Sequence, residues 1–268
     1  MYRVGTVILC MIALAGVVAL VGYGLSMARD LAFNRNEAFT IARIDVETHG
    51  HLMSQSFVRA CIPVSVGTNL FDVDIATMKD NFMSQAHAVR HMTIARHLPD
   101  TLRIDVWERD PIAWLGGQQR YIAIDRDGYV FRYPARMRRL PMVTGLEEEP
   151  QEEGQQMEGL VDDALAVIEY CENEGMSPIV KLKRVHLGED DALPRGTIQL
   201  ELATGELVYL WWHRTATKKV SPTADMIGRL NYMRDWIERF DKEGVRIATM
   251  DLTFDEYPDY CPATLRQG

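Results

Sequence analysis

The sequence predicts an α+β fold: a single N-terminal transmembrane helix, a strand-helix-helix-strand-strand module, and a mixed β region with flanking helices. Three observations predict it. An uncharged run, VGTVILCMIALAGVVALVGYGLSM, fills Val4 to Met27. Over residues 41–110, two short helical stretches with capping residues lie among segments of period-two alternation. Beyond Pro111, short alternating segments recur between turn residues, interrupted by two longer stretches of helical period.

About 20 residues cross the hydrocarbon core of a bilayer. In lipid every backbone amide must bond inside its own segment, which makes the apolar run a helix. A cleaved signal peptide is the rival, because Ser26-Met27-Ala28 loosely resembles a cleavage site. Its apolar region is only about 7–15 residues long, so a retained anchor over 4–27 is expected. Residues 1–3 are then a short cytoplasmic tail and 28–40 a polar connector. Arg3 before the helix and Arg29 and Arg35 after it leave the positive-inside bias weak. A three-residue tail holds no domain, so the working part is placed outside the cytoplasm.

The net charge of -9 argues against a nucleic-acid footprint, which needs clustered Lys and Arg. Cys10 lies in the anchor. Cys61, Cys171 and Cys261 follow at spacings that match no zinc or redox motif. They read as small apolar residues, with one disulfide left open if the compartment is oxidising.

IARIDVET is a strand with Ile44 and Val46 on one face. Ser54 caps a short helix over SQSFVRACI, and Asp74 caps a second, IATMKDNFMS, whose buried stripe is Ile75, Met78 and Phe82. Two strands meet at the turn Leu98-Pro99-Asp100-Thr101. In the second of them Leu102, Ile104 and Val106 point one way, and Arg103, Asp105, Trp107 and Arg109 the other. Pro111 ends that run. A meander follows, with Asp127-Gly128 as its hairpin turn. LEEEPQEEGQQMEG, residues 146–159, has six Glu and no Lys or Arg, and reads as a flexible, solvated insertion. A helix over LVDDALAVIEYCEN, three strands, a long helix from Ser221-Pro222 to about Glu243 and a late strand VRIATMDLTF complete the region. Residues 256–268 read as a tail broken by Pro258 and Pro262.

Enzyme chemistry finds little support. Nucleophilic catalysis needs Ser or Cys beside His and an orienting acid. Cys61, His97 and Asp100 supply the types, but Cys61 falls on a helix face expected to be buried. His49-x-His51 and His87-x3-His91 lack the Glu that the H-E-x-x-H zinc helix requires. Asp105, Glu108 and Asp110 read as a wet sheet face and a domain junction rather than acids and bases. No Gly-rich loop links a strand to a helix. Of Trp211-Trp212, one ring points into the core and one out.

An ordered set of motifs resembles the FtsQ/DivIB family of bacterial cell-division proteins. It comprises Gly67, Asn69, Leu70, Phe71 and Asp74; Arg96, Pro99, Thr101 and Leu102; Glu108, Arg109, Pro111 and Ala113; Asp125, Asp127 and Gly128; and Leu140, Pro141 and Gly145. IATMDLTF looks like the late strand of the family. The resemblance implies a POTRA domain over 41–110 and an FtsQ-type β domain over 111–255. It implies no catalysis, cofactor or metal. It implies partners of the FtsB/DivIC and FtsL types, and through them the septal synthase complex, docked by strand addition at the carboxy-terminal edge. The expected contact residues are Leu252, Thr253, Phe254, Tyr257 and Tyr260. The implied location is the inner membrane at the division septum, with the C-terminal domain periplasmic or extracytoplasmic. Departures from the family pattern are the very short tail, Ala86-His87 in place of a frequent Pro-Trp, and Phe254 where Tyr is common. The alternative is a POTRA-bearing envelope protein of a secretion or outer-membrane assembly system; those add a large barrel or tandem repeats, and the sequence shows neither.

Overall fold

The computed structural model describes residues 2–29, 36–116, 121–134, 138–146, 151–173, 176, 179–187, 197–211, 224–253 and 261–266. The chain divides into two compact units, Met1–Glu108 and Arg109–Gly268.

The first unit opens with α1 (Tyr2–Arg29), a continuous helix of 28 residues. Its described apolar side chains, among them Leu14, Val17, Val18, Leu20 and Val21, are exposed in every direction around the axis. Among the described residues no helix is long and apolar enough to cross a membrane. The side chains of residues 2–10, 12, 13, 28 and 29 lie outside that description, so the span over 4–27 rests on the sequence.

The remainder of this unit is β1 (Arg43–His49), α2 (Gln55–Cys61), α3 (Ile75–Met83), β2 (Val89–His97) and β3 (Thr101–Glu108). The late strand β3 takes the centre of the sheet, parallel to β1 and antiparallel to β2. Parallel pairing needs a long crossover, which α2 and α3 supply. Alternation sends Leu102, Ile104 and Val106 to the helix side, where they are buried with Val58, Met78 and Phe82. Ser54 Oγ accepts the Phe57 amide at 3.2 Å and starts α2. Asp74 Oδ1 accepts the Thr77 amide at 3.1 Å and starts α3. That bond to Thr77 holds the Asp74 carboxyl below its ordinary value.

The second unit contains β4 (Pro111–Leu115), β5 (Ile122–Asp125), β6 (Val130–Arg132), β7 (Met142–Thr144), α4 (Leu160–Asn173), β8 (Leu182–His186), β9 (Thr197–Leu202), β10 (Leu207–Trp211), α5 (Ala224–Lys242), β11 (Ile247–Leu252) and β12 (Ala263–Leu265). The described strands form one mixed sheet in the order β12-β11-β10-β9-β8-β7-β4-β5-β6. The helices cover it with the expected stripes: Ala164, Val167, Ile168 and Cys171 from α4, and Met226, Leu230 and Met233 from α5, are buried in one core. The α5 residues Ile237 and Phe240 pack on that core half-buried. Tyr170 Oη donates to Asn231 Oδ1 at 3.2 Å and ties the two helices together.

Two expectations need correction. The acidic insertion is ordered over 151–159. The Gly154 amide donates to the Val130 carbonyl at 2.8 Å, Val130 donates back to Gln155, and Met157 is buried. Glu152 and Glu158 keep their charges in water while the backbone and one methionine bind the hairpin; composition registers the first property and not the second. Within the proline-broken tail, the described residues after Pro262 form β12 against β11. Three residues are too few to show a period.

Candidate functional site

The residues that carry the sequence motifs are occupied with holding the backbone. Asn69 Oδ1 accepts the Phe71 amide at 2.8 Å. Arg96 donates from Nε to the Leu70 carbonyl and from Nη2 to the Val73 carbonyl, both at 2.7 Å. The loop leading to α3 is thus pinned to β2 by one guanidinium. Glu108 accepts the amides of His51, Leu52 and Met53 at 2.7, 2.8 and 2.7 Å. A Cβ on Gly50 would lie 2.0 Å from Glu108 Oε2, so a larger residue there would displace the carboxylate from its three amides. Arg109 pairs with Asp125 at 2.7 Å, both side chains nearly buried, and its guanidinium lies 3.9 Å from the centre of the Tyr129 ring. Asp125 also accepts the amides of Asp127 and Tyr129 and so shapes the hairpin. Gly128 in that turn has φ +81°, and a Cβ would meet the Met157 carbonyl at 2.5 Å.

The sheet of the first unit bears a polar face opposite its helices. Asp105 and Glu108 were expected on wet surface; Asp105 is only 8% exposed and Glu108 is half-buried under its three amides. Asp110 is exposed and pairs with Arg138 at 2.9 Å. Register sets Glu47 beside Asp105 and His49 beside Trp107, whose ring stacks on His49 at 4.9 Å. Glu47, His49 and Asp105 bring three possible metal-ligand atoms within 4.8 Å of one another. The sequence reading missed this group because it depends on a parallel pairing across more than fifty residues. Arg103 already donates to both carboxylates, and its bond to Asp105 raises the Arg103 pKa. The group therefore carries its own counter-cation.

Among the described residues the cysteines Cys61, Cys171 and Cys261 offer no poised nucleophile. Cys61 is exposed, contrary to the buried face expected for it, because the short α2 turns its C-terminal end to solvent. It lines a cleft of about 630 Å³ between α2 and α3 with Phe57, Ile62, Met78, Phe82 and Gln85; neither His97 nor Asp100 lines it. Burial pushes the Cys171 thiol up to about 12 and the Cys261 thiol up to about 11, away from thiolate chemistry.

The carboxy-terminal edge differs from the expected one. β11 is the second strand of the sheet, between β10 and β12. Leu252 is buried, and its carbonyl accepts from Arg229 Nη1 at 2.6 Å. Thr253 is half-buried and bonds Asp251 Oδ1 through its amide and hydroxyl. Phe254, Tyr257 and Tyr260 lie outside the described residues. The edge itself is β12, with Thr264 and Leu265 exposed. The Asp251 amide donates to the Pro262 carbonyl, and the Arg266 amide to the Arg246 carbonyl. Alternation then turns the backbone groups of Ala263 and Leu265 away from β11.

Residues 39–109 match the family described as POTRA domain, FtsQ-type. Over 79 residues the chain is 40% identical to Cell division protein FtsQ of Bordetella pertussis (strain Tohama I), covering 28% of this chain and 29% of that protein. Over 90 residues it is 28% identical to Cell division protein DivIB of Clostridium acetobutylicum, covering 34% and 35% respectively. The matched stretch thus spans about a third of the length of these curated relatives. Its residues carry the β-α-α-β-β order, the Arg96 and Glu108 anchors and the Asp74 cap described above. Residues 39–109 thus form a POTRA domain of the FtsQ type, and the chain is similar over about a third of its length to cell-division proteins named FtsQ and DivIB.

Proposed function

We propose that the chain is a non-enzymatic, single-pass membrane scaffold of bacterial cell division. α1 anchors it in the inner membrane, the folded units lie outside the cytoplasm, and β12 receives partners of the FtsB/DivIC and FtsL types by strand addition. The observation that carries the docking is the open edge of β12. Its outward backbone groups at Ala263 and Leu265 have no strand beside them among the described residues, and the Leu265 side chain is 60% exposed. Such an edge pairs readily with an extended segment. Thr253, Phe254, Tyr257 and Tyr260 belong to the connection between β11 and β12 and flank this edge in the chain.

The cell-division assignment is supported by the names of the two relatives and by the FtsQ-type domain. The FtsQ type of that domain favours it over a secretion or barrel-assembly role. The absence of catalysis is supported by the structural employment of Glu108, Arg109, Asp105 and Asp125. The test is a fluorescent fusion to the full chain with depletion of the native protein. A septal signal and filamentous growth are expected. Uniform envelope signal with normal septation would overturn the reading.

A further inference from the structure

A second concave surface lies well away from β12, on the α4 side of the sheet in the same unit. It encloses about 700 Å³, a size typical of ligand clefts, which run to ~300–1,000 Å³. Its floor is apolar: Ile168 and Val180 are buried, and Trp114 and Leu182 half-buried. Its rim is cationic, with Arg138, Arg139, Lys181 and Lys183 all exposed.

On a chain of net charge -9 this is a local reversal of sign. Some of the charge is compensated. Arg138 pairs with Asp110 and, at 3.9 Å, with Glu172, while Lys183 pairs with Glu201 at 2.5 Å. Arg139 and Lys181 have no carboxylate partner among the described residues. Glu172 is the acid that lines the cleft, and burial pushes its carboxyl above the ordinary range against the pull of Arg138. Cys171, with its raised thiol, adds no reactivity.

The pairing of floor and rim narrows the ligand. A small anion would satisfy the rim and leave an apolar floor in water. A purely apolar ligand would leave two cations unmatched at its border. We infer that the cleft docks an acidic peptide segment of a partner protein, which sets an apolar side chain on Ile168 and Val180 and its carboxylates against Arg139 and Lys181. β8, which supplies Leu182 and Lys183, lies four strands from β12 in the sheet. The site is therefore independent of strand addition, and failure of either leaves the other standing.

The test uses the detergent-solubilised full chain and fluorescein-labelled peptides eight residues long, with blocked ends: alternating Glu-Leu, alternating Lys-Leu and alternating Glu-Gly. Fluorescence anisotropy should show saturable binding of the Glu-Leu peptide that weakens with salt, as expected for rim charges. The Lys-Leu and Glu-Gly peptides should bind at least about tenfold more weakly. Arg139→Glu with Lys181→Glu should weaken Glu-Leu binding about tenfold or more while leaving the circular dichroism spectrum unchanged; both residues are exposed, so the fold tolerates the exchange. Equal binding of all three peptides, no binding of any, or undiminished binding by the doubly substituted chain would overturn the assignment.

Discussion

Arg109 and Asp125 form a nearly buried ion pair at 2.7 Å, and the same carboxylate shapes the hairpin that follows. Removing one partner strands a charge away from water. Arg109→Met should therefore destabilise the second unit by about 3–5 kcal/mol. Asp110→Ala, next door but on the surface with Arg138, should cost only ~0–1 kcal/mol. Thermal unfolding of the full chain in detergent measures both. Equal losses would show that burial does not set the importance of the pair.

Glu108 and Gly50 work as a unit. Gly50→Ala puts a methyl group where the Glu108 carboxylate lies, so the bonds to the amides of residues 51–53 must break. The expected signature is faster amide hydrogen exchange at residues 51–53, with β2–β3 pairing retained. Glu108→Ala should produce the same local pattern. Unchanged protection at those amides in both variants would refute the clamp.

The pH response of α3 follows from its cap. The Thr77 amide keeps Asp74 ionised to lower pH in the folded chain than in the unfolded one. Its contribution is full above the ordinary carboxyl value of about 3.9 and is lost as pH falls through the lower folded value. Asp74→Asn keeps an oxygen for the cap but no charge to titrate. It should flatten the fall of melting temperature below about pH 4, whereas Asp74→Ala should lower it at neutral pH as well.

The edge strand carries the docking prediction. Leu265→Pro removes an amide that faces away from β11, so it should abolish capture of a strand-donating partner while leaving the fold intact. Thr264→Ser, whose backbone faces β11, should leave capture unchanged. The readout is co-purification of the partner from membranes. Full capture by the Leu265 variant would remove strand addition at β12 from consideration.

The first unit was legible in some detail because its signals are local. The Ser54 and Asp74 caps, the Met78–Phe82 stripe and the alternation of Leu102, Ile104 and Val106 all act within a few residues. What escaped the sequence depends on distant partners. Glu108 looks like a surface acid until residues 51–53 fold beneath it. Asp105 looks wet until Arg103 and Glu47 close over it. Cys61 was expected on the buried face of the helix over SQSFVRACI, but Val58 is the residue that α2 buries, and Cys61 at its last position is exposed. The outer strand of the sheet is β12 rather than β11, since nothing in Ala263-Thr264-Leu265 alone announces a strand.

The position of β12 also bears on biosynthesis. It is the last of the described strands in chain order, and it forms only by lying against β11. During synthesis from the amino terminus, the outer edge of the sheet first belongs to β11 and passes to β12 only when residues 262–266 have arrived. A chain halted before Pro262 would present a different strand, with Leu252 at its end, to any waiting partner. On the proposed docking, strand addition at β12 would be open to a finished sheet and closed to a nascent one.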